Sequence, residues 1–276
     1  MESWSPGVST PDLLEAIVAA TRARVDAAMS REPRAAVEQR AMARRPNGRA
    51  FREGLADRRA INVIAECKRR SPSRGVLRAA YDPAAVAKSY EQAGAKAISV
   101  LTEPGFFDGS LAHLEAVRAA VAIPLLRKDF IIHEYQLLEA RAAGADAILL
   151  VVAALDDTTL RSLLDAAIGL ELAPLVEVHD ADECRRAIHA GASVIGVNNR
   201  NLRTLEVDLD ASRVVGQMIP PDAVGVSESG LKTAADLRAM REYGYRAFLM
   251  GERFMTAADP GAALAGLLES LGATAR

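Results

Sequence analysis

The sequence predicts an α/β protein. It reads as a closed (β/α)8 barrel of the TIM type over residues 61–276, with a helical extension over residues 1–60 packed on it within one domain. Three observations carry that prediction. Eight short apolar runs, rich in Val, Ile and Leu, recur from Ile61 onward, as expected of parallel strands buried on both faces. Ala-rich amphipathic segments separate them, and strict alternation of strand and helix leaves a closed barrel or an open doubly wound sheet. An internal echo then favours the barrel. Ala93-Gly94-Ala95-Lys96-Ala97-Ile98 is matched by Ala143-Gly144-Ala145-Asp146-Ala147-Ile148 and by Ala190-Gly191-Ala192-Ser193-Val194-Ile195, with a looser copy at Tyr243–Phe248. These copies precede the second, fourth, sixth and eighth runs, the period that duplication of a quarter- or half-barrel leaves.

The elements follow in order. Leu13, Leu14, Ile17, Val18, Thr21 and Val25 recur at helical spacing and predict an amphipathic helix over Pro11–Met29. A second helical segment spans Arg34–Arg44, and Asn47-Gly48 breaks it. Strands are expected at Ile61–Glu66, Ala97–Leu101, Ile123–Arg127, Ala147–Val152, Ala173–Val178, Val194–Val197, Ala223–Val226 and Ala247–Met250. Helices are expected between them at Pro83–Ala93, Ser110–Ala120, Glu134–Ala143, Asp156–Gly169, Ala181–Ala190, Asp210–Met218 and Thr233–Tyr243, with a last one at Pro260–Leu271. The Ser71-Pro72-Ser73 stretch reads as the stop to the first strand.

Bulk properties narrow the function. At 276 residues the chain fits one large domain, since α/β barrels run to roughly 250 residues as a unit. A net charge of -2 provides no global field for nucleic acid or membrane, so any bound anion needs a local positive cluster. Cys67 and Cys184 lack paired spacing, which points to a reducing, cytoplasmic setting without a disulfide framework or zinc site. His113, His133, His179 and His189 show no metal-ligand spacing and read as solvated helix-start or helix-surface residues. No basic-then-apolar leader and no membrane-spanning apolar run are expected.

The chemistry of such a barrel lies at the C-terminal ends of its strands. The first run ends Ala65-Glu66-Cys67-Lys68. Alternation sends Glu66 and Lys68 one way and Cys67 the other. An acid and an ammonium leaving a buried strand together are costly to desolvate, which marks them as candidates for function. Lys128 follows Leu126 inward on the third strand. Glu177 lies between Val176 and Val178 on the fifth. Asn198 and Arg200 share a face after the sixth, Glu228 ends the seventh, and Glu252 follows the eighth. The loops after the last two strands of such barrels often hold phosphate. Ser229, Gly230 and Gly251 let backbone approach a ligand closely there.

Several of these segments closely resemble the signatures of the indole-3-glycerol phosphate synthases. They are Ala65–Ser73, Leu126–Ile131, Leu175–His179, Ile195–Leu202, Val226–Gly230 and Phe248–Glu252, and Ser99–Glu103 with Phe106–Ser110 fits the second βα loop. The resemblance runs through nearly the whole chain, with the motifs in strand order. It implies ring closure, decarboxylation and dehydration of 1-(2-carboxyphenylamino)-1-deoxyribulose 5-phosphate to indole-3-glycerol phosphate, in tryptophan biosynthesis. It implies a small anionic substrate, no cofactor and no metal, and a monomer or weak homo-oligomer. By the same resemblance Lys128 is general acid for ring closure, and Lys68 pairs with the substrate carboxylate and serves dehydration. Glu177 and Glu66 are alternative dehydration bases. Asn198, Arg200 and Glu228 position substrate hydroxyls and the lysines, and Phe107 and Phe130 pack the aromatic ring. Ser71, Ser229, Gly230, Gly251 and the backbone at Glu252 hold phosphate. Some relatives carry Ser at the Glu252 position, so phosphate affinity is expected to be weaker here if a side-chain hydroxyl contributes. Competing readings are a phosphoribosylanthranilate isomerase, which needs a Cys/Asp pair, and a non-catalytic sugar-phosphate-binding barrel.

Overall fold

In a computed structural model, which describes residues 13–202 and 204–272, the eight apolar runs become one closed parallel barrel. The strands are β1 Asn62–Cys67, β2 Ala97–Leu101, β3 Leu125–Lys128, β4 Ala147–Val151, β5 Ala173–Val178, β6 Val194–Asn198, β7 Val224–Glu228 and β8 Ala247–Met250. β1 closes the ring, with Ile64 level with Leu249 of β8 and Glu66 level with Ser99 of β2. Alternation sorts side chains into two cores. Ile64, Leu126, Leu149, Leu175, Val226 and Leu249 fill the barrel. Val63, Ala65, Cys67, Ile98, Val100 and Ile148 face the surrounding helices. Cys67 therefore points outward, and burial pushes its thiol well above the usual range.

Several strand boundaries shift by one or two residues, and those of the third and first strands have evident physical reasons. The third strand starts at Leu125 rather than Ile123, because Pro124 has no N–H and the amides of Ala122 and Ile123 donate to the Glu91 carboxylate at 2.7 and 3.0 Å. The first strand ends at Cys67, before Ser71-Pro72-Ser73. That tripeptide instead lies in a small antiparallel hairpin pairing Arg70–Ser71 with Gly75–Val76.

The N-terminal residues form three helices, α1 Leu13–Arg31, α2 Arg34–Met42 and α3 Gly48–Ala56. The expected start at Pro11 lies outside the described residues. Asn47-Gly48 ends one helix and begins another. The Asn47 side chain accepts the Ala50 amide at 3.1 Å as an N-cap, and its own amide donates to Asp146 at 2.7 Å. Phe51 and Leu55 of α3 join the barrel-interior cluster, and Asn62 at the start of β1 donates to the Leu55 carbonyl at 3.0 Å. α3 thus stops the N-terminal end of the barrel. Leu14 and Ile17 of α1 join the same cluster from the other end.

Arg24 of α1 reaches Asp129, the residue after Lys128, at 2.7 Å. Asp129 also accepts from Arg127 at 3.0 Å and Thr102 at 2.7 Å. Burial alone would raise the Asp129 carboxyl, but Arg127 and Arg24 outweigh it and hold it below its ordinary value. Arg127 is 2% exposed and spends its remaining donors on the Thr102 hydroxyl, the Gln136 carbonyl and Glu139. Removing one partner of such a buried pair leaves an uncompensated charge. Asp129→Ala is therefore expected to destabilise the fold by about 3–5 kcal/mol, read by urea unfolding; a loss under about 1 kcal/mol contradicts this account.

Candidate active site

The polar strand ends meet in one cavity of about 970 Å³ at the C-terminal mouth of the barrel. Glu66, Lys68, Ser71, Phe107, Lys128, Phe130, Glu177, Asn198 and Arg200 line it, as do Glu228, Ser229, Gly230, Gly251 and Glu252. Every residue singled out from the sequence is therefore present. Sequence reasoning missed Leu13, Leu14 and Ile17 of α1, which roof the cavity, and Arg74. The helical period of the first three was visible, but not the surface it covers.

Lys128 is the centre of the site. Its Nζ lies 2.8 Å from Glu177 and 2.5 Å from Glu228, so β3, β5 and β7 each send one charged group to a common point. Asn198 Nδ2 donates to the second Glu177 oxygen at 3.1 Å. Lys68 and Glu66 form a separate pair at 2.6 Å. Two glycines make room. A Cβ on Gly196 would strike the Glu228 carboxylate, and one on Gly251 would lie 2.6 Å from Glu66 Oε1. Gly251 thus makes room for the Glu66 carboxylate.

The cluster polarises its members. Burial alone would lower the Lys128 pKa, but Glu177, Glu228 and Glu66 outweigh it and hold the ammonium well above the ordinary range. Burial raises Glu177, but Lys128 and His179 outweigh it and keep that carboxyl low. For Glu228 burial dominates, with the Glu177 charge adding, and pushes its pKa up to about 7 against the pull of Lys128. Two carboxylates sharing one ammonium thus diverge, one firmly ionised and one reluctant.

At the other end of the cavity the chain turns through Ser229 at φ 64° and Gly230 at φ 79°. Positive φ at Ser229 is strained, and the Asn199 amide braces the turn by donating to the carbonyls of Glu228 at 2.9 Å and Ser229 at 3.2 Å. Glu252 heads a one-turn helix, Glu252–Met255. Its carboxylate accepts from Arg74 at 2.9 Å and Arg200 at 3.3 Å. Arg200 also donates to the Leu205 carbonyl at 2.9 Å, so in the free protein it is held by internal partners. Phe107 is placed by Glu103, whose carboxylate caps the helix Pro104–Phe107 through three backbone amides.

One expectation needs correction. His179 is not a solvated helix-start residue. Its ring is 15% exposed, and it lies between Glu183 and Glu177 at the end of β5. The sequence spacing held a signal for this, since His179 and Glu183 are four residues apart across the start of a helix.

Comparison with known proteins places this geometry. The family model for indole-3-glycerol phosphate synthase matches residues 14–267. The chain belongs to the indole-3-glycerol phosphate synthase family. It is 46% identical over 259 residues to the indole-3-glycerol phosphate synthase of a Polaromonas species, covering 93% of this chain and 98% of that one. It is 48% identical over 258 residues to indole-3-glycerol phosphate synthase 1 of Streptomyces coelicolor, covering 93% and 94%. Among solved structures, a 3-hexulose-6-phosphate synthase aligns at TM-score 0.58 and 19% identity over 78% of this chain and 100% of that one, a likeness of fold.

Two outcomes follow from the site's packing and charge. Gly196→Ala forces the Glu228 carboxylate away from Lys128, so kcat for the family's reaction is expected to fall about tenfold or more. Stability should fall by only about 1–3 kcal/mol, read by thermal unfolding beside steady-state rates. Glu228 sits above its ordinary value of 4.5, so the native state resists its ionisation and loses stability as pH rises from 4.5 towards 7. Glu228→Gln is therefore expected to gain stability relative to the parent across that window. A difference in unfolding free energy that stays flat with pH refutes the assignment.

Proposed function

We propose that this chain is an indole-3-glycerol phosphate synthase acting in the cytoplasm on 1-(2-carboxyphenylamino)-1-deoxyribulose 5-phosphate, a small substrate with a carboxylate at one end and a phosphate at the other. The observation that carries this reading is the Lys128 ammonium held between Glu177 and Glu228 in a cavity roofed by apolar side chains, with a separate Lys68–Glu66 pair beside it. The reaction starts when the ring carbon bearing the carboxylate attacks the ketone. Lys128 donates its proton to the ketone oxygen. The carboxylates keep the lysine protonated in the free protein, and its acidity rises towards the working range as it turns from them to the substrate. Phe107 and Phe130 pack the aromatic ring, and Lys68 holds the carboxylate. Closure leaves an iminium beside that carboxylate, so the substrate is its own electron sink for loss of carbon dioxide.

Dehydration then needs an acid at the departing hydroxyl, supplied by Lys68, and a base for the neighbouring C–H proton. Of the two candidates we assign Glu177. Glu177 is oriented by Asn198 and becomes more basic once Lys128 turns from it to the substrate. Asn198 and Glu228 hold Glu177 and Lys128 in place. Ser71, Ser229, Gly230, Gly251 and the backbone at Glu252 take the phosphate. The Glu252 carboxylate there is offset by Arg74 and Arg200, which leaves that end positive despite the chain's net charge of -2.

Supplying the carboxyphenylamino-deoxyribulose phosphate should release carbon dioxide and produce indole fluorescence; no turnover by the parent chain would sink the proposal. Lys128→Ala is expected to lower kcat by on the order of 10²-fold or more, the size of a positioned acid. A twofold change would remove Lys128 from the role.

A further inference from the structure

The helix Ala181–Ala190 begins just after β5, with Asp180 as its N-cap. The cap accepts the Glu183 amide at 2.9 Å and so fixes the first turn. One Glu183 oxygen then takes two bonds from the same residue. The His179 backbone N–H donates to it at 2.8 Å, and His179 Nδ1 lies 3.0 Å away. A carboxylate accepts only, so Nδ1 carries a proton and the ring is locked in orientation. The lock aims the other nitrogen, Nε2, at Glu177 Oε1, 3.6 Å away. Nε2 is buried and has no hydrogen-bond partner. Buried unpaired polar atoms are rare in native folds and ask for an explanation. A gap of 3.6 Å is just beyond a hydrogen bond, and a small rotation closes it. Glu177 now leans on Lys128 through its other oxygen at 2.8 Å.

We propose that His179, clamped by Glu183, is a positioning residue for Glu177: when Lys128 leaves Oε2 for the substrate, Nε2–H closes on Oε1 beside the Asn198 amide and keeps Glu177 ionised and aimed for proton removal. This rests on the reading of Glu177 as the dehydration base. The need is physical. A carboxylate that is 3% exposed and has lost its ammonium partner would take a proton from solvent and cease to be a base. The groups that face His179 are Glu183 on the helix, Glu177 on β5 and Glu228 on β7, all acidic, with Lys128 beyond Glu177. Burial favours the neutral ring, but the Glu183 hydrogen bond and the carboxylate charges outweigh it and raise its pKa. The raised pKa carries the imidazolium to higher pH than a free ring would keep it, and it is lost as pH climbs through that value.

The test uses the full-length chain and steady-state kinetics with the carboxyphenylamino-deoxyribulose phosphate. His179→Ala is expected to lower kcat about tenfold with KM changed by less than about threefold, because Glu177 is misplaced while substrate contacts remain. The parent's kcat is expected to decline on the alkaline side as the imidazolium deprotonates, and His179→Ala should abolish that decline. Glu183→Gln, on the outer side of the ring, should reproduce the kcat loss without touching the cavity. In a Glu177→Gln background, His179→Ala should cost nothing further, since it acts only through Glu177. Unchanged kcat in both His179→Ala and Glu183→Gln, or an undiminished tenfold loss in the Glu177→Gln background, overturns the inference. If Glu177→Gln itself keeps kcat within about threefold, the base reading fails and this inference with it. If Glu177→Gln is crippled but His179→Ala is fully active, only this inference falls.

Discussion

A single ammonium, Lys128 Nζ, sits where three strands converge, within 2.8 Å of Glu177 and 2.5 Å of Glu228. Two buried carboxylates without it would repel each other and take up protons, and a buried lysine without them would lose its own. Lys128 and Glu177 hold their charges only in each other's presence, with Glu228 the reluctant third, and only a closed barrel brings the ends of β3, β5 and β7 to one point. The intervening β6 contributes Gly196, whose missing side chain is the space that Glu228 fills. Behind the lysine, the buried Arg127–Asp129–Arg24 network ties the end of β3 to α1, so the position of the ammonium is set from outside the barrel as well as inside.

The cavity has two ends with different electrostatic logic. At the Lys128 end each positive group is matched by a carboxylate, Lys128 by Glu177 and Glu228 across the barrel mouth and Lys68 by Glu66 of its own strand. An anionic substrate must therefore compete with internal partners, and the proton inventory changes as it does. At the Ser229–Gly230 end the backbone itself is bent into a left-handed turn, and a side-chain amide from Asn199 holds it there. Glu252 adds a negative charge beside that turn, which two arginines offset. A net charge near neutral thus coexists with strong local fields, because the opposite charges are sorted by position rather than diluted over the surface.

The N-terminal helices serve both ends of the barrel. α1 lays Leu14 and Ile17 over the mouth and gives Arg24 to the Asp129 network, while α3 pushes Phe51 and Leu55 into the opposite end. The same helices that shield the barrel interior also make the cavity drier, which strengthens every charge interaction within it.

Much of this was legible in the linear chain. Strand alternation has a period of two whatever the neighbours are, so the inward set of Glu66, Lys68, Lys128, Glu177 and Glu228 and the outward Cys67 could be read from local order alone. The eight apolar runs set the strand count in the same way, and the Ala-Gly-Ala turns before alternate runs favoured closure. What the chain alone left open depended on partners distant in sequence. Asn47-Gly48 looked like a break until its amide met Asp146. His179 is the exception, since its partners Glu177 and Glu183 are close in sequence and only its burial was not legible. Whether α1 roofed the site or sealed another surface was equally undecided by its period. Local periodicity states which way a side chain points, but not what stands there. That is decided by closure of the barrel, which brings residues from different strands within hydrogen-bond reach.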